Sequence, residues 1–240
     1  DPEDEKLFRS LEADLAELQS HAEKQELWGE LETDDDLRCY ERVKVILQDL
    51  TEACREVSPA FQAYSCYSPR ESVQNMLRNL GAFDVAMTVL SLVSSIPDSS
   101  EEIANNTREI LRMCCVFLTW FIRGNKANQE LAHEQLDFFI DNLSEDILAA
   151  SVMAEIFRAH PRLIKQFPTH LISTFVEYTV GHGLDPQYLE VMEALTWQPT
   201  GSTDSNASLQ YQILRELAMP QRAGSARRAN VFRRQGGSSP

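Results

Sequence analysis

The residue pair His133-Glu134 is the nearest approach in this sequence to a known catalytic motif. A zinc-peptidase helix carries a second His one turn after the first, on the same face. That position is occupied by Asp137, so the pair is interpreted as surface residues at the start of a helix. Three other histidines show no metal-ligand spacing and fall at predicted helix ends, where an imidazole commonly meets backbone groups: His160, His170 and His182. The sequence therefore predicts no metal site.

The acidic run Asp34-Asp35-Asp36 could suggest calcium binding. A calcium loop requires ligands at alternating positions, a Gly at the turn and a distant bidentate Glu, and none is in register here. Carboxylates at this point would instead accept the free backbone N–H groups of the next helix and favour the positive end of its dipole. We interpret the run as a helix N-cap.

The chain has five cysteines, and no Cys-x-x-Cys pair occurs among them. Cys114-Cys115 could be redox-active, but an apolar helix interior disfavours the thiolate that such chemistry needs. Four of the five fall inside helical patterns: Cys39, Cys54, Cys114 and Cys115. An odd number in such positions indicates reduced, mostly buried thiols in a cytosolic setting and not a disulfide framework.

Other catalytic signatures are missing from the sequence. Gly181-His182-Gly183 is too short to cradle a phosphate and does not follow a strand, and no Gly-x-Ser-x-Gly nucleophile elbow occurs. Val231-Phe232-Arg233-Arg234 is either a tail that binds an anionic surface or partner, or a solvated loop. We therefore expect no catalytic, cofactor-binding or metal-binding residue, no cofactor in this segment, and a protein that is not an enzyme.

Charge and composition argue against a nucleic-acid-binding protein and against a membrane-spanning segment. The 240 residues are 43% hydrophobic and carry a net charge of −15, whereas nucleic-acid binding needs a basic face. The N-terminus is acidic, so we expect no signal peptide, and the longest apolar run, 113–122, is too short to span a membrane. Residues 221–240 hold five Arg and no acid. These are expected to form a solvated tail, or to dock on the acidic residues 1–36 of a neighbouring copy.

The elements that would position any site are helices. Apolar residues recur at three- and four-residue spacing between Ile110 and Ile122, and a second apolar face carries Met113, Val116 and Trp120. A helix that is apolar around most of its circumference is contacted from several sides. This stretch, which ends at Gly124, is the predicted central helix, and Phe117→Ala or Trp120→Ala should each lower stability by about 3–5 kcal/mol.

About ten helices follow from the same periodicity and from local capping signals. Ser68, Pro69 and Glu71 have the spacing of a capping box with Pro at the first helical position, and Gly81 fits a left-handed C-terminal cap. The predicted helices cover residues 3–31, 36–57, 69–80, 83–95, 101–123, 126–142, 145–159, 168–180, 185–197 and 207–219. The fold class is all-α, an armadillo-like superhelical stack (α-solenoid), although no fixed-period repeat is visible.

Three segments of the chain resemble the homology domain shared by ryanodine receptors and inositol trisphosphate receptors. They are VQNMLRNLGAF at 73–83, EILRMCCVFLTWFIRGNKANQELAHEQLDFFI at 109–140 and TFVEYTVGHGLDPQYL at 174–189. The shared features are Met76-Leu77-Arg78-Asn79 before Gly81, Phe117-Leu118 ahead of Gly124-Asn125, Asn128-Gln129, the Leu131, His133 and Leu136 spacing, and Gly183 with Gln187-Tyr188-Leu189. The likeness spans about residues 70–197. It is closer to inositol trisphosphate receptors, and within them to the second, more central copy of the domain.

The resemblance implies a cytosolic regulatory or scaffold segment of a homotetrameric, ligand-gated calcium-release channel. Such a segment would relay ligand binding to a distant pore at the cytosolic face of the endoplasmic reticulum or a related calcium-store membrane. Its partners would be other domains and subunits of the channel, with possible regulatory proteins, and it would meet the membrane only through the parent channel. The family's basic ligand-binding cluster has no counterpart here, so no ligand-binding residue is assigned.

Two further expectations concern organisation. The predicted divisions are an acidic helical region at 1–67, the receptor-homology domain at 68–200, a terminal helix at 201–220 and a disordered basic tail at 221–240. Gly81 and Gly124 would end helices, and Asn79, Asn125 and Asn128 would tie helix ends together. The alternative to a channel segment is a free-standing armadillo-like adaptor that binds a peptide in its concave groove.

Overall fold

The computed structural model describes residues 2–23, 34–57, 67–94, 101–143, 148–181, 186–196 and 207–218. These ranges hold twelve helices and two short strands. The helices are α1 (Pro2–Ala22), α2 (Asp34–Ala53), α3 (Glu71–Asn79), α4 (Ala82–Ser94), α5 (Glu101–Ile122), α6 (Lys126–His133), α7 (Leu136–Asp141), α8 (Ala149–Phe157), α9 (Pro161–Ile164), α10 (Leu171–Gly181), α11 (Pro186–Thr196) and α12 (Ala207–Ala218); the strands are β1 (Arg55–Val57) and β2 (Tyr67–Pro69). The all-α prediction is confirmed, and the helices pack in a stack.

Helix α5 is the central helix that the sequence predicts. It packs against α2, α3, α4, α6 and α8. Its buried residues include Ile110, Cys114, Phe117 and Phe121, which follow the predicted three- and four-residue spacing. The second apolar face differs from the expectation, because Trp120 is only partly buried there.

The N-terminal helices form one wall of this core. Leu11, Leu15 and Leu18 of α1 are buried as their spacing predicts, and α1 packs on α2 and α4. The predicted helix over 3–31 is described only to residue 23, and α1 ends at Ala22. The three acids at 34–36 lie in the first turn of α2, and their side chains are outside the described residues.

A β-hairpin replaces the predicted capping box, which was wrong. Helix α2 ends at Ala53, four residues before the predicted end. Strand β1 then pairs antiparallel with β2, with Arg55 opposite Pro69. The Oγ of Ser68 donates to Glu56 Oε1 at 3.4 Å instead of capping a helix. Strand pairing holds residues 67–69 in an extended conformation. The contact with a segment about twelve residues earlier in the chain is therefore stronger than the local capping signal.

The predicted helix over 126–142 is two helices. It breaks at Glu134-Gln135, where both backbone N–H groups donate to carbonyls three residues back, at 3.3 and 3.1 Å. This tighter turn changes the direction of the chain, and Leu136 and Phe139 of α7 are buried in the core. A short helix that the sequence pattern does not predict, α9, follows His160 with Pro161 at its first position.

Glycines end two helices as predicted. Gly81 and Gly124 have φ of +76° and +71°, the left-handed conformation that favours glycine. Ala159 adopts the same conformation, with φ of 55°, between α8 and α9. An L-residue with a Cβ is strained there by about 1–2 kcal/mol.

The apolar core is continuous from Leu11 in α1 to Ile213 in α12. Among the described ranges no single helix combines the length and the apolar composition of a membrane span, although α3 and α4, bent by 71°, meet both criteria when joined. The armadillo-type superhelix and the divisions at residues 67, 200 and 220 stay predictions. The basic tail, 221–240, lies outside the described residues.

Candidate functional site: a polar network at the helix ends

The C-terminal end of α5 is capped by a side chain from another helix. The Nε2 of Gln74, in α3, donates to the carbonyl oxygens of Trp120 at 2.7 Å and Arg123 at 2.9 Å. Gln74 is 1% exposed. The last carbonyls of a helix have no partner within it and must be satisfied from outside when they are buried. This glutamine therefore fixes α3 against the end of the central helix.

Two asparagines and an arginine extend this connection into α6. Asn125 Oδ1 accepts the backbone N–H of Asn128 at 3.2 Å and caps α6. Asn128 Nδ2 donates to the carbonyl of Phe121 at 2.7 Å, and Arg78 donates to Asn128 Oδ1 at 2.7 Å. The prediction that Asn125 and Asn128 tie helix ends is confirmed. Asn79 lies exposed at the end of α3, outside this cluster.

A second glutamine repeats the arrangement one layer further along the stack. Gln129 Nε2, in α6, donates to the carbonyls of Glu155 and Arg158, each at 2.8 Å. In both cases the two carbonyls are three residues apart, at the end of a longer helix. Gln210, in α12, makes one such bond, to the carbonyl of Thr196 at 3.0 Å.

These three glutamines occupy the same position in their helices. Each is the fourth residue of its helix: Gln74 in α3, Gln129 in α6 and Gln210 in α12. Sequence reasoning singled out Gln129 as part of a family motif but did not connect the three. Comparison of the predicted helix starts would have matched Gln129 and Gln210 but not Gln74, because its helix was predicted to begin at residue 69 and begins at Glu71. The carbonyls that the three amides reach are set by packing.

A chain of ion pairs beside these caps connects α5, α8 and α11. Glu155 of α8 is 3% exposed at its side chain, and its Oε1 accepts Arg123 at 2.9 Å and Arg158 at 3.0 Å. Arg158 also pairs with Glu193 of α11 at 3.0 Å. Burial opposes the charge of Arg158, but the two carboxylates outweigh it and raise its pKa. The chain Arg123–Glu155–Arg158–Glu193 therefore joins α11 to α8 and to the end of α5.

The hairpin meets the same helix end through Trp120. The guanidinium carbons of Arg55 and Arg123 lie 4.6 and 4.4 Å from the centroid of its ring, within the range of cation–π attraction. Tyr67, which is 46% exposed, stands edge-on to the indole at 6.5 Å. Trp120 is thus held at the surface by two cations, one of which also binds the buried Glu155.

Comparison with known proteins identifies the family of this chain. The RIH domain, the homology domain of ryanodine and inositol trisphosphate receptors, matches residues 39–219. The chain belongs to this family. The match is wider than the 70–197 on which the sequence resemblance rests, and it takes in α3 to α12 and most of α2. Every residue of the helix-end network lies inside it. RIH domains are characteristic of intracellular calcium-release channels.

Two histidines of this RIH domain have structural roles. His160 Nδ1 accepts the N–H of Leu163 at 3.4 Å. The expectation that its imidazole meets a backbone group at a helix terminus is confirmed, although the helix that it caps, α9, was not predicted. His133 is not at a helix start but ends α6, and its ring packs edge-on to Phe157 at 5.9 Å. Burial lowers the pKa of both imidazoles. Among the described residues, no three His, Cys, Asp or Glu side chains are arranged to hold a metal ion.

The cysteines of the RIH domain are packing residues. Cys54, Cys114 and Cys115 are buried free thiols, and Cys39 is partly buried and free, as predicted. Burial raises the pKa of Cys54 and of Cys115 to about 12, so both are protonated at neutral pH. Cys66, His182 and Gly183 lie outside the described residues.

Proposed function

We propose that this RIH domain is a cytosolic regulatory and scaffold segment of a homotetrameric, ligand-gated calcium-release channel, with no catalytic activity of its own. The parent would be an inositol trisphosphate receptor and the segment its second, central copy of the domain, as the motifs at 73–83 and 109–140 favour. The observation that carries the proposal is the buried polar network that joins successive helices of the stack within the family match at 39–219.

The network supports a mechanical role. Glu155 lies 3% exposed between two arginines, and its backbone carbonyl is held by Gln129. A displacement of α11 would pull on Arg158 through Glu193 and would reach α5 through Glu155 and Arg123. Taking its partners away from the buried Glu155 would leave an uncompensated charge, at a cost of about 3–5 kcal/mol, whereas the exposed Arg158–Glu193 pair contributes about 1 kcal/mol or less. Such a chain couples its helices over more than one layer of the stack, which a relay between ligand site and pore requires.

The same proposal includes the cellular location and the partners of the domain. It would work at the cytosolic face of the endoplasmic reticulum or a related calcium store, in contact with other domains and subunits of the channel and possible regulatory proteins. It would reach the membrane only through the parent channel and would bind no nucleic acid. The divisions at 1–67, 68–200, 201–220 and 221–240 and the armadillo-like superhelix belong to this proposal.

The first experiment is the native size and membrane association of the protein that carries this sequence. An antibody raised against residues 100–200 is used on fractionated cells. A membrane-bound species of several hundred kilodaltons supports a channel segment. A soluble species near 27.3 kDa would refute it, and would leave a peptide-binding adaptor as the better account.

The second experiment tests the relay in the full-length channel. Glu155→Gln removes the charge that holds Arg123 and Arg158, and it should shift the ligand concentration for half-maximal calcium release by about fivefold or more, the lower end of typical allosteric coupling. The matched control is Glu130→Gln, which removes an exposed pair with Arg162 at 3.2 Å. Equal responses from both variants, with normal tetramer assembly, would contradict a relay through Glu155.

A further inference from the structure

The last helix of the stack presents an apolar face that no described residue covers. Leu209 and Ile213 of α12 pack against the core. Tyr211 and Leu214 are 69% and 65% exposed. Residues three apart lie side by side on a helix, so these two form one outward surface. We call this pair the α12 face.

A second copy of the chain does not account for this surface. Tyr211 and Leu214 together expose roughly 250 Å² of side chain, since a fully buried aromatic covers about 150–250 Å². A stable dimer buries about 800 Å² on each partner. The α12 face suits a short segment tethered to the same chain, because tethering makes the contact intramolecular and a small area then suffices.

The sequence after α12 holds such a segment. Between residues 219 and 240 one pair of apolar side chains is adjacent, Val231-Phe232, and it lies between Arg227-Arg228 and Arg233-Arg234. The thirteen residue-to-residue steps from Ala218 to Val231 can span at most about 45 Å. Helix α12 is about 18 Å long, so this pair can reach any point along the α12 face.

Charge favours the same segment. Residues 221–240 carry five positive charges, so the other 220 residues carry −15 − 5, which is −20. The adjoining helix α11 has exposed acids at Glu190, which accepts the hydroxyl of Ser151, and at Glu193, which also pairs with Arg158. We propose that Val231 and Phe232 dock on the α12 face of their own chain, with the flanking arginines drawn to the acidic surface around it.

The acidic helix α1 is the competing place for the arginines. Its acids are paired, as Glu193 of α11 is, so the apolar surface beside them decides between the two helices. Glu5 already pairs with Arg9 at 2.6 Å, and Asp14 and Glu17 share Arg42 at 3.2 and 2.8 Å. The apolar face of α1 is turned into the core. The α12 face offers both the open apolar surface and a route within one chain.

Photo-crosslinking tests the contact. Phe232 is replaced by the photoreactive analogue p-benzoylphenylalanine in the full chain, which is irradiated, digested and mapped by mass spectrometry. A mixture of ¹⁵N-labelled and unlabelled protein separates links within one copy from links between copies. The expected product is an intramolecular link to residues 207–218. The double substitution Tyr211→Ser and Leu214→Ser should lower its yield at least about tenfold, because it removes both apolar side chains of the contact.

The control is Phe8→Ser, which removes an exposed aromatic from α1 and should leave the yield unchanged. Both α12 positions are exposed, so the double variant retains its core and its fold is checked by circular dichroism. Links mapped to residues 2–22, links mainly between labelled and unlabelled copies, or an undiminished yield in the double variant would each overturn the proposal.

Discussion

Gln129 gives the sharpest test of the helix-end network. Its buried amide donates two hydrogen bonds of 2.8 Å to the carbonyls of Glu155 and Arg158. Gln129→Met keeps the length of the side chain and leaves little cavity, so the change isolates the two bonds. Each buried polar group that loses its partner costs about 1–3 kcal/mol. We expect the free energy of unfolding to fall by about 2–4 kcal/mol.

The assay is urea unfolding of the full chain, followed by circular dichroism at 222 nm, with a thermal melt in parallel. The urea midpoint should fall without a change of slope, and the melting temperature should drop by about 5–10 °C for a domain of this size. Gln135→Met is the matched control, because Gln135 is exposed at the α6–α7 turn. A loss below about 0.5 kcal/mol for Gln129→Met, the range of ordinary surface substitutions, would show that the glutamine does not hold the end of α8.

Four further substitutions test separate parts of the structure. Phe117→Ala should lower the free energy of unfolding by about 3–5 kcal/mol. Trp120→Ala should lower it by about half as much, because the ring of Trp120 is only partly buried. Equal losses for the two variants in urea unfolding would contradict this difference in burial. Ala159→Gly should raise the melting temperature, because glycine adopts a φ of 55° without strain. The net gain in the free energy of unfolding is about 0.5–1 kcal/mol. A lower melting temperature would show that the strain at Ala159 is absent. Burial lowers the pKa of His160 from its ordinary 6.5. As the pH drops below about 6.5, the unfolded chain therefore takes up a proton at this residue before the folded chain does, and the free energy of unfolding falls. His160→Asn keeps an acceptor for the N–H of Leu163, and the drop in stability between pH 7.5 and 5.5 should shrink; an unchanged drop would assign it to other groups.

Local periodicity was enough to predict most helices, because one face of each must be apolar to reach the core. It predicted the burial of Phe117 and Phe121 and the glycine ends at 81 and 124. It did not predict the hairpin or the break at 134–135. Both depend on contacts with residues distant in sequence, and a capping signal of about 1 kcal/mol is easily outweighed by them.

The polar network divides in the same way. The family motif drew attention to Asn125, Asn128 and Gln129, and side-chain chemistry predicted that the two asparagines tie helix ends. The sequence alone therefore determined the helical class, the family and two of the amides, Asn125 and Asn128, that join helix ends. The tertiary structure decided which carbonyls those amides reach and that Glu155 is buried between Arg123 and Arg158. The pair of Arg123 with Glu155 joins residues 32 positions apart in the sequence, and only packing sets the distance between them.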